Sequence, residues 1–506
     1  MSGFNLADLF ERVCDAVPDR EVVVSHAQRG SASTARRLTF KELDDRANRL
    51  ANALAERGIG AGQHIGLQLL NGSEYIEGML AAFKLSAVPI NVNFRYVAAE
   101  LRHLYDDADL VAVIHHREFS PQVGDAAAAI DGLEHLIVVD DDSGVPAPEG
   151  AASYEEVLAN ASSARPDGSK RTGDDRYLAY TGGTTGLPKG VVWRQEDIFF
   201  AAMGGGDVFQ SGNFIKTPEE IVERIPEVGA TILTTPPLMH VSAQWGVFSQ
   251  LFGGGRIVFP PAGAFNADTV WRLVQEEGIN VLTIVGDAMA RPLADSYAAA
   301  KDGGTAYDVS SLIVIGSGGA TLSSGAKGKL AELLPTLMIV DGFGSSETGI
   351  VGNKLHAAGD EATQPRSTVN AQTNVLGEDG KPVEPGSGQV GRLARKGHVP
   401  LGYYKDETKT KATFVEVEGE RWVLPGDHAI VVGLPDERWG ERVVAVVKPT
   451  AGATPTLDAL QEHARRSLAR YKVPRELILV DAVERTPAGK PDYKWAREVA
   501  EKHDRV

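Results

Sequence analysis

Cysteine is almost missing from this chain of 506 residues, in which Cys14 is the only one. A single thiol cannot form a disulfide within the chain, which excludes the small secreted domains that disulfides hold together. Such a composition is typical of a protein in the reducing cytoplasm, and we expect a cytoplasmic location. Cys14 follows Leu9, Phe10 and Val13 in an apolar-periodic run, so the thiol is predicted to be buried.

Long apolar runs and an excess of positive charge are missing as well. No stretch approaches the ~18 uninterrupted apolar residues of a membrane helix, and no basic segment followed by an apolar one marks a secretory signal. We therefore expect neither a transmembrane segment nor a signal peptide. The formal net charge is −17, which argues against a protein that binds nucleic acid non-specifically. Anionic ligands would have to be bound by loops and single lysines.

The spacing of apolar residues predicts an α/β fold. Thr39-Phe40-Lys41-Glu42 has the pattern of a capping box that opens a helix, and Ile65–Leu70 has the pattern of a strand. A helix over about 75–85 and strands over 111–114 and 136–139 follow. This alternation favours largely parallel sheets.

The C-terminal part of the chain has a different pattern. Residues 443–447 and 477–480 are predicted as strands, and residues 457–468 between them as a helix. We expect this part to form a separate, small α+β unit.

The clearest chemical signal is the run Tyr180-Thr181-Gly182-Gly183-Thr184-Thr185-Gly186-Leu187-Pro188-Lys189-Gly190. Its glycines allow backbone N–H groups to converge on an anion, its threonines add hydroxyl donors, and Lys189 adds a positive charge. It is not a Walker A loop, because Pro188 and Gly190 flank the lysine where that pattern requires Gly and then Ser or Thr. The alternative is a flexible hairpin turn, for which so many polar groups beside a lysine are a poor choice.

This run resembles the phosphate-binding signature of the ANL superfamily, which comprises acyl-CoA synthetases, peptide-synthetase adenylation domains and luciferases. Further motifs follow in that family's order, and the resemblance covers nearly the whole chain. It implies an α/β fold with a large multi-subdomain N-terminal adenylate-forming domain and a small mobile α+β C-terminal lid. The implied ligands are ATP, Mg²⁺ and, as co-substrate, coenzyme A.

The segment Asp341–Thr348, with the sequence DGFGSSET, resembles the family's second core motif. Phe343 offers a flat face for the adenine, and Ser346 offers a hydroxyl for the α-phosphate. Glu347 offers the kind of hard oxygen ligand that Mg²⁺ prefers beside phosphate oxygens and water. In isolation this segment could be an ordinary polar turn.

Two further segments are expected to line the site. Gly316–Ala320 follows a predicted strand over 312–315, and the resemblance places Gly318–Ala320 beside the adenine. Pro236–His240 resembles the acyl-side motif, which would put His240 between the adenylate and the acyl channel. The alternative for a lone histidine is a structural role. None of residues 241–246 is an Asp or Glu that could hold a substrate ammonium group, which weighs against an amino-acid adenylating domain.

Two C-terminal motifs complete the resemblance. Pro425-Gly426-Asp427 resembles the ribose-binding motif, in which a carboxylate accepts hydrogen bonds from both ribose hydroxyls. Arg485–Lys490 resembles the motif of the catalytic lysine. The ammonium of Lys490 would neutralise charge between the substrate carboxylate and the α-phosphate.

Taken together, the resemblance implies the following site. The catalytic residues are Lys490, Thr184 and Glu347, and the metal ligands are Glu347 and Thr184. The nucleotide-binding residues are Thr181, Gly182, Gly183, Thr184, Thr185, Gly186, Lys189, Gly318, Gly319, Ala320, Asp341, Gly342, Phe343, Gly344, Ser345, Ser346 and Asp427. The acyl-binding residues are His240, Ser242, Gln244, Trp245, Gly316 and Ser317.

The chain departs from the family pattern after Asp427. The family continues with a Gly-Arg motif, a hinge residue and a Gly-rich loop, whereas here Ala429 is followed directly by a sequence typical of the interior of the C-terminal domain. Either the protein has a real deletion or the full-length protein contains a segment that the 506 residues omit, and we predict the latter. The domains are then 1–429 and 430–506, the second without its first part and its hinge.

The expected function is that of an AMP-forming acyl-CoA synthetase. The runs at 91–96, 192–197 and 397–406 resemble actinobacterial fatty-acid and steroid-side-chain CoA ligases and imply a bulky hydrophobic acid. Two rivals stay open, namely an acyl-AMP ligase that delivers its product to a carrier protein and a catalytically dead nucleotide-binding homologue. The expected partners are small molecules and not nucleic acid. A homodimer is compatible with the sequence, which does not determine the oligomeric state.

Overall fold

The structure is a computed structural model. It describes residues 3–26, 35–167, 170–182, 188–207, 212–320, 322–356, 368–369, 372–376, 392–417, 419–424, 432–436, 440–447, 456–465 and 475–480, together with 495, 498–500 and 502. In this part of the chain, no helix has the length and apolar character needed to cross a membrane.

The helices of the described residues are α1 Leu6–Ala16, α2 Phe40–Glu56, α3 Ser73–Lys84, α4 Ala98–Asp107, α5 Ser120–Ala127, α6 Tyr154–Ala159, α7 Gln195–Ala202, α8 Glu220–Glu223, α9 Val241–Phe252, α10 Ala267–Glu277, α11 Gly286–Asp302, α12 Ser324–Leu333, α13 Glu407–Thr413 and α14 Leu457–Arg465. A short 3₁₀ helix covers Arg117–Phe119. The capping box predicted at the start of α2 is confirmed, because Thr39 and Glu42 each bind the other's backbone N–H.

The strands are β1 Glu21–Ser25, β2 Arg36–Thr39, β3 His64–Gln68, β4 Val88–Asn91, β5 Leu110–His116, β6 His135–Val139, β7 Ala152–Ser153, β8 Arg176–Gly182, β9 Pro188–Arg194, β10 Thr231–Thr234, β11 Arg256–Phe259, β12 Val281–Ile284, β13 Val314–Ser317, β14 Met338–Ser345, β15 Gly349–His356, β16 Thr368–Val369, β17 Thr373–Leu376, β18 Arg392–Lys396, β19 Gly402–Tyr403, β20 Phe414–Val417, β21 Glu420–Val423, β22 Val432–Asp436, β23 Gly440–Val447 and β24 Glu476–Leu479.

Two large sheets dominate the described part of the chain. One has the order β16-β15-β14-β13-β12-β10-β11-β1-β2, and the other has the order β19-β9-β8-β4-β3-β5-β6-β7. Parallel pairs form the middle of both sheets. Antiparallel pairs lie at both edges of the first sheet and at one edge of the second, whereas β7 pairs parallel with β6 at the other edge. Buried apolar residues of α1, α2 and α3 pack in one large core with residues of β8, β9 and α9. The α/β prediction is confirmed, and largely parallel sheets are what its alternating pattern favours.

Smaller sheets complete the fold. A four-stranded antiparallel sheet has the order β17-β18-β21-β20. Nearer the C-terminus, β22, β23 and β24 form a sheet of their own, and α14 lies between β23 and β24 along the chain. The two strands predicted in this part of the chain are therefore observed, to within one residue at β24.

One prediction about the site needs correction. Strand β13 spans Val314–Ser317, two residues later than the strand expected over 312–315. Gly316 and Ser317 therefore lie within the sheet, where they pair with Val340 and Asp341, and the turn begins only at Gly318. Small residues had suggested a turn, but neighbouring parallel strands on both sides supply the hydrogen bonds that keep the segment extended.

Candidate active site

The predicted phosphate loop connects the antiparallel strands β8 and β9. Thr181 pairs with Lys189, and Gly182 pairs with Pro188, so the hairpin closes directly at the ends of the loop. The loop residues Gly183, Thr184, Thr185 and Gly186 lie outside the described residues, and their roles stay predictions. The hairpin nevertheless fixes where this loop leaves and re-enters the sheet.

Lys189 has a partner that the motif alone did not indicate. Its Nζ lies 2.5 Å from Oδ2 of Asp406, and about a third of the lysine side chain is exposed. This hydrogen bond is the main cause that holds the pKa of Asp406 below its ordinary value. A half-exposed ion pair of this kind leaves part of the ammonium group accessible to a further anion.

The predicted adenine-side segment lies against the second core motif. Gly318 is half-buried, Gly319 has φ +79°, and Ala320 is exposed. A Cβ added to Gly318 would stand 3.8 Å from the carbonyl oxygen of Gly342 on the next strand. A Cβ at Gly318 would thus make only an ordinary van der Waals contact, and the placement of Gly318–Ala320 beside the adenine stays a prediction.

Ser317 differs from its neighbours. It is buried, and its Oγ accepts a hydrogen bond of 3.1 Å from the backbone N–H of Gly286 at the start of α11. This contact gives the hydroxyl a structural role, which does not favour the predicted contact with an acyl group.

The second core motif forms the end of β14 and the turn into β15. Asp341 is bound by Lys327, whose Nζ lies 2.5 Å from Oδ2. Phe343 is half-buried. A Cβ at Gly344 would lie only 2.0 Å from the carbonyl oxygen of Gly349, so no other residue fits at this position.

The turn 345–348 is organised by its own side chains. Ser345 N donates to Thr348 Oγ1 at 2.9 Å, and Glu347 N donates to Ser345 Oγ at 3.2 Å. Trp193 on β9 donates from Nε1 to the carbonyl oxygen of Ser346 at 2.9 Å. The structure thus joins the strand that follows the phosphate loop to the turn that carries Glu347.

The residues predicted on the acyl side begin α9. His240 precedes the helix, and both it and Ser242 are exposed. Desolvation by the surrounding protein, and to a smaller extent the charge of Arg95, lowers the pKa of His240, although the residue reaches solvent. A lowered pKa favours the neutral form of the ring.

Gln244 and Trp245 are more deeply buried than residues that line a pocket open to a ligand. Gln244 is only 3% exposed; it accepts from Tyr177 Oη at 2.5 Å and donates to Tyr75 Oη and to the carbonyl oxygen of Leu238. Its amide is fully engaged, so it supports the helix and is not available to an acid. Trp245 is 4% exposed.

Two asparagines that sequence reasoning did not assign a role hold the parts together. Asn91 donates 2.7 Å hydrogen bonds to the carbonyl oxygens of Tyr180 and Met239, next to the phosphate loop and to His240. Asn71 donates to Pro236 O and accepts from Leu238 N. The structure therefore brings the phosphate hairpin and the acyl-side motif together. A buried Asn with partners distant in sequence carries no local signal.

The described residues do not include Asp427, Lys490 or the predicted metal ligand Thr184. In the described part of the chain, no group of three or more His, Cys, Asp or Glu could hold a metal. Glu347 is half-buried and offers one carboxylate, which fits a Mg²⁺ ion that arrives with phosphate oxygens and water as its other ligands.

Two family models match the chain. The model described as AMP-binding enzyme matches residues 10–404, and the model described as AMP-binding enzyme C-terminal domain matches residues 426–490. The chain therefore belongs to the family of AMP-binding enzymes, the adenylate-forming ANL superfamily.

Within that family, the chain is similar to curated ligases of steroid and fatty acids. It is 40% identical to the 3-oxocholest-4-en-26-oate–CoA ligase of Rhodococcus rhodochrous, with 98% of this chain and 96% of the relative covered. It is also 40% identical to the medium/long-chain-fatty-acid–CoA/3-oxocholest-4-en-26-oate–CoA ligase of Mycolicibacterium smegmatis, with 99% and 97% covered.

Solved structures show the same fold at lower identity. The amide bond synthetase McbA from Marinactinospora thermotolerans has a TM-score of 0.73 at 19% identity, with 97% of this chain and 99% of that chain covered. A Mycobacterium tuberculosis fatty acyl CoA synthetase has a TM-score of 0.66 at 22% identity, with 99% of both chains covered.

Proposed function

We propose that the protein is an AMP-forming acyl-CoA synthetase that converts ATP, a hydrophobic carboxylic acid and CoA into acyl-CoA, AMP and pyrophosphate. The observation that carries the proposal is the junction of three motifs. Trp193 joins the Lys189 hairpin to the Glu347 turn, and Asn91 joins the same hairpin to the segment before His240. Membership of the AMP-binding family and the CoA ligases among the relatives support it.

The first step forms an acyl-adenylate. A carboxylate oxygen of the acid attacks the α-phosphorus of ATP, and the bond to pyrophosphate breaks. We assign Lys189, Thr181 and the loop 182–186 to the phosphates, Phe343 and Gly318–Ala320 to the adenine, and Asp427 to the ribose. Mg²⁺, held by Glu347 and Thr184, would neutralise phosphate charge, and Lys490 would do the same beside the reacting carboxylate.

The second step transfers the acyl group to sulfur. The CoA thiol loses its proton and attacks the acyl carbonyl carbon, and AMP leaves with the electrons of the broken mixed-anhydride bond. In the resemblance, a rotation of the C-terminal lid carries Lys490 away between the two steps, and such a movement allows one site to serve both.

The substrate class follows from the acyl side. The lowered pKa of His240 favours its neutral form, and no residue of α9 carries a carboxylate that could bind the ammonium group of an amino acid. The names of the relatives include medium- and long-chain fatty acids and a steroid side-chain acid. We propose that the acid is of one of these two kinds.

A screen of acids tests the function. AMP release is measured with ATP and CoA present, and the thioester is detected by mass. AMP and acyl-CoA in equal amounts support a synthetase. Adenylate without thioester on free CoA would favour the acyl-AMP ligase, and ATP binding without pyrophosphate release would favour the dead homologue.

The domain division 1–429 and 430–506 is also a proposal. The alignment with the Rhodococcus relative spans 543 positions, more than the 506 residues of this chain, so the relative has dozens of residues that face a gap. Gaps of this kind are expected both for a real deletion and for an omitted segment, and the proposal of an omitted segment between about Ala429 and Ile430 rests on the break in the motif order after Asp427. Intact mass spectrometry of the natural protein should give a mass above 53.9 kDa, and a match to that value would mean a real deletion.

Location and assembly are proposals as well. We propose a cytoplasmic enzyme, which agrees with its single, buried thiol. A homodimer would be tested by the mass of the particle in solution.

A further inference from the structure

Three side chains from three strands hold successive residues of the turn that carries Glu347. The bonds are Trp193 Nε1 to Ser346 O at 2.9 Å, Tyr403 Oη to Glu347 Oε1 at 2.8 Å, and Arg395 Nη1 to Thr348 O at 2.5 Å. The donors are 0%, 8% and 3% exposed, so water does not compete strongly with these bonds.

The bond from Tyr403 differs from the other two. Trp193 and Arg395 bind backbone carbonyls and fix the course of the chain. Tyr403 binds the carboxylate itself and so fixes the direction in which Glu347 presents its second oxygen, Oε2. In the described part of the chain, Oε2 accepts no hydrogen bond.

Tyr403 is itself held firmly. Its backbone pairs with Val191 on β9, and its N–H donates to Thr410 Oγ1 at 2.9 Å. Nζ of Lys409 lies 4.0 Å from the centre of its ring, within cation–π range. The hydroxyl therefore has a defined position relative to the phosphate hairpin.

The same short segment holds the basic residue of the site. Asp406, three positions after Tyr403, binds Lys189 through Oδ2, while its Oδ1 caps α13 by accepting from Lys409 N at 2.9 Å. Gly402–Asp406 thus contacts one negative and one positive side chain of the site.

We propose that Gly402–Asp406 is a positioning segment through two of its residues: Tyr403 orients Glu347 for the metal–phosphate complex, and Asp406 orients Lys189 for the phosphates. The inference rests on the proposed function, because it assigns these two charges to Mg²⁺ and to ATP. Tyr403 and Asp406 are positioning residues and do not themselves contact the nucleotide.

The adjacent tyrosine supplies a matched control for Tyr403. Tyr404 Oη also donates to a carboxylate, Oδ2 of Asp109, at 2.7 Å. Tyr403→Phe and Tyr404→Phe therefore each remove one hydroxyl bonded to a carboxylate, and only the first involves Glu347. Binding of a non-hydrolysable ATP analogue is measured by calorimetry, once with MgCl₂ and once with EDTA.

Tyr403→Phe should weaken binding in MgCl₂ about tenfold, the scale of one hydrogen bond to a charged group, and leave binding in EDTA unchanged. It should also raise the Mg²⁺ concentration that gives half-maximal AMP release. Tyr404→Phe should match the wild type in every assay. Equal losses in MgCl₂ and EDTA would mean a merely structural role and would overturn the assignment of Tyr403, as would wild-type binding by Tyr403→Phe.

Asp406→Asn tests the second half of the proposal. Asparagine keeps an oxygen for the cap of α13 and loses the charge that holds Lys189. Binding of the analogue in EDTA should weaken a few-fold, whereas Glu407→Gln, which removes an exposed charge at the next position, should have no effect. Unchanged or tighter binding by Asp406→Asn would show that Asp406 only competes with the nucleotide, and would overturn its positioning role.

The two levels of the proposal fail differently. A wild-type protein that binds the Mg²⁺–analogue complex but makes no acyl-CoA contradicts the proposed function and leaves the positioning test valid. A wild-type protein that makes acyl-CoA, with both variants unchanged, contradicts the positioning segment alone.

Discussion

Lys84 and Lys189 both have carboxylate partners, and the surroundings of these two lysines separate a structural ion cluster from a candidate site. Lys84 is completely buried, with Nζ at 2.5 Å from Glu11 and 2.7 Å from Asp44. Lys189 is a third exposed and has one described partner, Asp406. Charges that are buried must remain paired, because a lone buried charge is costly. A charge at an accessible edge remains within reach of a ligand. We infer that exposure, more than the ion pair itself, distinguishes the lysine proposed to bind phosphate from the structural one.

The largest effect is expected at a third lysine, Lys490, which the resemblance assigns to catalysis. Lys490→Ala should slow adenylation by about 10²–10³-fold, by analogy with the loss of one donor to a developing charge. Thioester formation from purified acyl-adenylate should continue at a nearly normal rate, because the lid has then carried Lys490 away. The check is to assay the half-reactions separately, and equal losses in both would place Lys490 in a fixed site.

Next in size is the effect of Lys84 on stability. Lys84→Met should reduce the free energy of unfolding by about 3 kcal/mol, because Glu11 and Asp44 lose a buried partner. The control Lys41→Met removes an exposed ion pair with Asp45 and should leave the free energy of unfolding nearly unchanged. Urea denaturation measures both, and a small effect of Lys84→Met would contradict the structural role of the cluster.

Lys189→Ala should affect ATP binding much more than stability, in contrast to Lys84→Met. The loss of a half-exposed pair should change the free energy of unfolding by less than about 1 kcal/mol. ATP binding, measured by calorimetry, should nevertheless weaken strongly. If the variant unfolds easily and binds ATP normally, exposure does not distinguish the two lysines.

Acid should weaken the structural cluster. Burial alone would raise the pKa of Glu11, but its bonds to Arg171 and Lys84 lower it from 4.5 to about 2. A carboxyl with a lowered pKa stabilises the folded state above pH 4.5 and loses that contribution as the pH falls towards 2. Its share is about 3 kcal/mol at neutral pH. Unfolding free energies measured from pH 6 to pH 3 should fall less steeply in Glu11→Gln than in the wild type.

The smallest expected effect is the gain in binding for each CH₂ group added to the acid. Each additional buried CH₂ should strengthen binding by about 0.8 kcal/mol until the channel ends. A series of straight-chain acids should therefore give a rising kcat/KM, with acetate and free amino acids poor substrates. Equal values for acetate and an acid of eight or more carbons would contradict an apolar channel.

Sequence reasoning identifies the parts of the candidate site that lie within continuous motifs. Thr181, Lys189 and Glu347 occur in runs whose residue types already imply phosphate and metal chemistry. It placed β13 two residues too early, because Gly and Ser suggest turns when the neighbouring strands are unknown. It also assigned Gln244 to the pocket, since a polar residue in a helix does not reveal that Tyr75 and Tyr177 bind it inside the core.

The supporting residues were beyond reach for a different reason. Trp193, Tyr403 and Arg395 contact the Glu347 turn from positions far apart in the sequence, and no local pattern announces such a contact. Asn91 belongs to a run that indicates only a subfamily resemblance, although its side chain joins two motifs of the site. Side chains that position others are defined by tertiary structure alone.

The most direct test of the central claim is a single reaction with ATP, CoA, Mg²⁺ and a hydrophobic acid, such as a long-chain fatty acid or a steroid side-chain acid, quenched over time and separated with detection by mass. We predict that acyl-CoA and AMP appear in equal amounts and that no ADP forms. ADP as the nucleotide product, or an adenylate that accumulates without conversion by CoA, would contradict it.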